Sequence, residues 1–214
     1  MTDAELMQEL IERKALIVHC SRPGKGDEGR NSRLFPEDLS HAIDICANEG
    51  AELCCSVIWP GHVETFGDIG IILKPRSTAS VTMISTTDGG TYLDANTNRR
   101  MGNGAPFSRT AVEDTFSKAT DYNEWNVKDA DTVGIFVKPP PPLPVVARRI
   151  DLREIPDYSP IMGTDQIVQV SINLSEITAA FPALPIFTLN GSDIIALSNQ
   201  SGTASPYAFE ASAD

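Results

Sequence analysis

Apolar and polar positions alternate in a way that divides the first half of the chain into short helices and strands. Leu6, Met7, Leu10 and Ile11 recur at helical spacing, which predicts an amphipathic helix over residues 4–13. Ala15 to Cys20 is a short, apolar, β-branched run and predicts a buried strand. Ser21 to Arg33 holds three Gly, one Pro and six charged residues, so a mobile loop is expected there. Pro36-Glu37-Asp38 opens a second helix, because Pro fits a first turn and acids suit the positive end of the dipole. Leu39, Ala42, Ile43 and Cys46 give that helix one apolar face, and Asn48-Glu49-Gly50 ends it. Strands are then expected at Leu53 to Trp59, Ile69 to Lys74 and Ser80 to Ser85. Thr87-Asp88-Gly89-Gly90 is a turn, and Asp94 to Pro106 a polar loop.

Further on, Arg109 to Lys118 predicts a short helix. Tyr122 to Val127 and Thr132 to Val137 predict a strand pair joined at Lys128-Asp129-Ala130-Asp131. Pro139 to Pro142, with Pro144 beyond, favour an extended polyproline spacer: a boundary, a surface strap or a ligand for a proline-binding module. Gln166 to Ile172 alternates as a strand, and Leu174-Ser175-Glu176 starts a short helix. Ile186 to Leu189 and Asp193 to Leu197 flank Asn190-Gly191, a hairpin signal. The pattern predicts an α+β fold of mixed, mainly antiparallel sheets with a few short helices. The expected organisation is a core over residues 1–138, a proline strap over 139–146 and an acidic C-terminal extension over 147–214. That extension is expected to pack on the core, with about its last 15 residues frayed.

Composition changes the picture in two ways. A hydrophobic fraction of 41% over 214 residues is enough for a sizeable core, and no apolar run reaches membrane-spanning length. The acidic amphipathic N-terminus (Asp3, Glu5, Glu9, Glu12) lacks the basic and apolar regions of a signal peptide, so a cytoplasmic protein is expected. Cys20, Cys46, Cys54 and Cys55 are accordingly expected as reduced thiols. Net charge is −12, and it is polarised. All 17 Lys and Arg lie between Arg13 and Arg153, while residues 154–214 carry seven acids and no base. Such a segment repels a nucleic-acid backbone and suits a basic protein partner.

Most familiar chemistries fail on spacing. His19, His41, His62 and the four cysteines show neither Cys-x-x-Cys nor His-x-x-x-His, so no metal is expected. Asp68 and Lys74 lack the intervening Glu of an Asp…Glu-x-Lys nuclease, and no Gly-x-Ser-x-Gly elbow is present. Gly24-x-Gly26-x-x-Gly29 has dinucleotide-fingerprint spacing, but charged residues fill it and no helix starts at its end.

Two other motifs are more suggestive. His19 ends the first apolar strand in Ile17-Val18-His19-Cys20-Ser21, and Glu124 lies in Tyr122-Asn123-Glu124-Trp125-Asn126-Val127. On these residues, over about 15–138, the chain resembles the ADP-ribosyltransferase superfamily of the His-Tyr-Glu type. The resemblance implies an NAD-utilising enzyme that cleaves the nicotinamide–ribose bond and transfers ADP-ribose to a macromolecule. It implies Glu124 as the catalytic acid, with His19 holding a ribose hydroxyl. Tyr92 would stack on nicotinamide, Arg22, with Lys25 or Arg30, would meet the pyrophosphate, and Ser21 would be a further NAD-binding residue. The family's middle Tyr has no secure counterpart beyond Tyr92. Ser85-Thr86-Thr87 is similar to the Ser-Thr-Ser of the Arg-Ser-Glu subclass, with Thr for the last Ser and only Arg22 for the first-strand Arg. The chemistry is coherent, because a carboxylate on the ribose 2′-hydroxyl stabilises the developing oxocarbenium charge. The rival expectation is a non-enzymatic acidic protein (inhibitor, immunity-type or virion-associated) binding a basic protein. A small phosphate-bearing ligand at residues 22–33 fits either.

Overall fold

The computed structural model describes residues 1–20, 36–65, 67–87, 104–119, 123–138, 174–197 and 205–207 in full. For 92–93, 100–101, 145–150 and 166–171 it describes the backbone. The fold is α+β. Helix α1 (Asp3–Glu12) starts at a Thr2 capping box closed by Glu5 and buries Leu6 and Leu10. Strand β1 (Leu16–Cys20) follows after Lys14, which turns the chain at φ 53. Helix α2 (Glu37–Asn48) buries Leu39, Ala42 and Cys46, and Gly50 supplies the left-handed residue beyond its end at φ 62. Strands β2 (Leu53–Ile58), β3 (Ile69–Pro75) and β4 (Val81–Ser85) come next. The short pair β5 (Tyr92–Leu93) and β6 (Arg100–Met101) precedes helix α3 (Arg109–Lys118). Then come β7 (Glu124–Val127), β8 (Ala130–Val137), β9 (Val145–Ile150) and β10 (Gln166–Ser171). Helix α4 (Leu174–Ala180), β11 (Ile186–Asn190) and β12 (Asp193–Ala196) complete the elements.

Eight strands form one sheet in the order β12-β11-β8-β3-β1-β2-β7-β4. Every neighbouring pair is antiparallel except β11 with β8. Two small sheets, β9–β10 and β5–β6, stand apart from it. Contrary to expectation, β7 and β8 are not a hairpin, since β2, β1 and β3 lie between them in the sheet. Four strand spacings come to about 19 Å, whereas the three steps from Val127 to Ala130 reach about 10 Å. The sheet must therefore coil strongly. Lys128 N–H donates to Ser80 O and Arg76 N–H to Asp129 O, which pins the crossing point.

β2 is where the coil bends. Its second half (Ser56, Val57, Ile58) pairs with β1, and its first half (Leu53, Cys54, Cys55) pairs with β7. Trp125 of β7 donates its indole N–H to Thr115 Oγ1 of α3 at 3.0 Å, so this face of β7 lies under α3. α3 is tied to α1 by Arg109–Glu5 and by the Arg13 guanidinium, 4.4 Å over the Phe116 ring. α2 packs over β3 and β8. The Cys46 thiol there is pushed up in pKa by burial, which keeps it an inert core group.

The C-terminal third contributes to the core rather than only resting on it. β11 adds to β8, Ile186, Phe187 and Leu189 are buried, and Tyr207 is 2% exposed. Tyr207 sits within the stretch expected to fray. Residues 139–144 of the proline strap lie outside the described residues.

Close backbone approach makes one glycine of β3 irreplaceable. A Cβ on Gly70 would lie 2.6 Å from His19 O and 2.6 Å from Val18 Cγ1. The carbonyl is held in the β1–β3 ladder and cannot yield. Gly70→Ala is expected to cost about 1–3 kcal/mol. Urea unfolding checks this, and an unchanged midpoint would refute the contact.

Candidate functional site

In an antiparallel sheet, residues facing each other across a ladder share a face, and neighbours along a strand alternate. Val18 pairs with Ser56, and Cys55 pairs with Trp125. One step past that second pair, Ser56 faces Glu124. One step further, Val57 faces Asn123. There the side chain replaces the ladder: Val57 N–H donates to Asn123 Oδ1 at 2.8 Å, and Asn123 Nδ2 donates to Val57 O at 2.7 Å. On the far side of β7, Ser85 of β4 pairs with Glu124. A row therefore crosses the sheet as Ile72, Val18, Ser56, Glu124, Ser85. Its apolar half lies on β3 and β1, and its polar half on β2, β7 and β4.

The polar half is buried. Ser56 is 1% exposed, Ser85 2% and Glu124 7%. Ser56 Oγ has no hydrogen-bond partner among the described residues. An unsatisfied buried hydroxyl costs about 1–3 kcal/mol, so this position works against the fold that contains it. Among the described residues, Thr132 and Thr188 also carry unpartnered hydroxyls, but neither lies on a row with a buried carboxylate.

His19 lies elsewhere. It is one residue past Val18 on β1, so its side chain leaves on the face that Cys55 and Trp125 share, while Glu124 leaves on the other. The sheet thus separates the two side chains by strand β2 and by face. At His19 the β1–β2 ladder has opened, and the ring fills the gap, with Nδ1 2.8 Å from Cys54 O. A carbonyl only accepts, so Nδ1 carries the proton. This hydrogen bond gives His19 a role in the fold, tying β1 to β2.

Of the other expected site residues, Ser21, Arg22, Lys25, Arg30 and Arg33 lie outside the described residues, and Tyr92 is described only as backbone in β5. Among the described residues, no three His, Cys, Asp or Glu side chains gather as a metal site. A cavity of about 740 Å³ between α1 and the end of β3 is lined by Met7, Ile11, Lys74 and Tyr207, among others, and by neither His19 nor Glu124.

Sequence reasoning missed Ser56 and Asn123. Ser56 had a signal, as the polar interruption in the apolar run Leu53 to Trp59. Asn123 had none, because its role depends on a ladder that opens only in three dimensions. No family model matches the chain, and no curated protein or solved structure matches it.

Proposed function

We propose that this protein is an NAD-utilising ADP-ribosyltransferase-like enzyme whose chemistry centres on Glu124. What supports the reading most is the pairing of Ser85 with Glu124 at 7% exposure, a carboxylate set between hydroxyl-bearing strands. In this reading the carboxylate accepts a hydrogen bond from the ribose 2′-hydroxyl. As the nicotinamide–ribose bond breaks, the positive charge growing on the ribose faces a negative group already in place. Little water reaches that carboxylate, which strengthens the interaction. The Ser85-Thr86-Thr87 segment then plays the part of the Ser-Thr-Ser in the subclass it resembles. His19 serves the same reading by holding β1 and β2 in register at the edge of the site.

The test is ligand-induced stabilisation followed by nicotinamide release. A native-state ligand at a hundred times its Kd adds about 2.7 kcal/mol, which is about 5–10 °C for a chain of this size. Millimolar NAD is expected to raise the melting temperature in that way, and free nicotinamide should appear with time. A melting curve that NAD does not move would overturn the reading.

One observation favours a second reading, the acidic interaction protein. Arg13, Lys14, Arg76, Arg109 and Lys118 are each tied to an acid of the same chain. The exposed Glu37, Asp44, Glu49 and Glu52, on and just after α2, have no such cation among the described residues. No helix of the described residues is long and apolar enough to cross a membrane.

A further inference from the structure

We infer that Ser56 is a ligand-reading residue: its hydroxyl takes the second oxygen of a cis-diol whose first oxygen is held by Glu124. The inference rests on the reading of Glu124 as the NAD-binding carboxylate, and it adds the group that selects the sugar. The starting observation is energetic. A serine at 1% exposure with an unpartnered Oγ weakens the fold, whereas alanine would fit the same space without that penalty. The geometry gives the hydroxyl a use. Ser56 and Glu124 face each other between the Cys55–Trp125 pair and the Val57–Asn123 side-chain bridge, so their positions are held from both ends. Facing Cβ atoms on neighbouring strands are about 4.5–5.5 Å apart. Adjacent hydroxyls of a pentose fit across that gap, one to each side chain. A carboxylate only accepts, while a serine hydroxyl both donates and accepts, so the pair can satisfy two neighbouring sugar hydroxyls together.

The position of Asn123 makes this more than an accident of packing. By bonding both polar groups of Val57 with its side chain, Asn123 takes the place of the backbone ladder one residue beyond the pair and fixes β7 against β2 there.

The experiment compares the full chain with its Ser56→Ala and Ser56→Thr variants. NAD and NAD lacking the 3′-hydroxyl of the nicotinamide ribose are the probes. Ser56→Ala is expected to melt at the same temperature as the wild type or higher, and to bind NAD about threefold to tenfold more weakly. The wild type should discriminate against the 3′-deoxy compound by a similar factor, and Ser56→Ala should not discriminate at all. Ser56→Thr keeps the hydroxyl and should restore most of the discrimination. If Ser56→Ala binds both compounds as the wild type does, the role of Ser56 is overturned and Glu124 is untouched. If the wild type binds neither compound, the NAD reading itself falls.

Discussion

Removing a single oxygen from Tyr207 should lower the stability of this protein by about 2–4 kcal/mol. The hydroxyl lies in the core, between the first and third strands. It accepts from Ile17 N–H at 2.8 Å and donates to Leu73 O at 3.2 Å. These two backbone groups belong to the next rung of the β1–β3 ladder after Val18–Ile72. That rung does not form, because the register of β3 against β8 shifts between Ile72 and Leu73. The tyrosine occupies the missing rung. In Tyr207→Phe, a buried donor and a buried acceptor lose their partner together, at about 1–3 kcal/mol each before relaxation. For a chain of this size the melting temperature should fall by about 5–12 °C. Burial also raises the pKa of this phenol far above its usual value, so it stays protonated and keeps its donor through ordinary alkaline pH. Urea unfolding of Tyr207→Phe beside the wild type decides the matter, and matching midpoints would mean that the bridge carries no weight.

Tyr207, His19 and Asn123 share one device. Each puts a polar side chain into a place where two strands of the sheet part, and each satisfies backbone groups that a neighbouring strand would otherwise take. This explains what the sequence could reveal and what it could not. Local periodicity reports burial within one element, so α1, α2, α3 and the strands β1 to β4 are legible in their apolar positions. The hairpin at Asn190-Gly191 is legible too, although the loop residues are Gly191 and Ser192, and Asn190 pairs with Asp193 and accepts at Oδ1 from the N–H groups of Ser192 and Asp193. Strand order is not legible. Lys128 and Asp129 look like a hairpin turn, but the apolar faces of β7 and β8 are claimed by different partners, β2 and β3. Tyr207 stands in a run of small polar residues, and nothing in that run marks one aromatic as a core group.

The candidate site was half legible for the same reason. Glu124 between Asn123 and Trp125 stands out as an acid in a strand, and it is indeed buried. Pairing it with His19 required knowing which face each side chain leaves from. That depends on how β1, β2 and β7 align, which spacing along the chain does not contain. A shift of one residue in either ladder would put both side chains on one face.

Glu124→Gln is expected to lower the rate of nicotinamide release at least about a hundredfold. The substitution keeps the length, shape and burial of the side chain, and an amide can still accept from a ribose hydroxyl. What it loses is the negative charge opposite the reacting carbon. A preorganised group of this kind contributes a factor of about 10²–10³ when removed, or about 2.7–4 kcal/mol of barrier. NAD affinity, which rests on many contacts, should change much less, so the loss should fall on kcat. The melting temperature is read beside the rate, so that a loss of folding is told apart from a loss of chemistry. Glu113→Gln on the exposed side of α3 is the matched control and should retain full activity. If Glu124→Gln releases nicotinamide at the wild-type rate while remaining folded, the carboxylate is not the catalytic group. The burial of Glu124 would then need an explanation in the packing of β4 against β7.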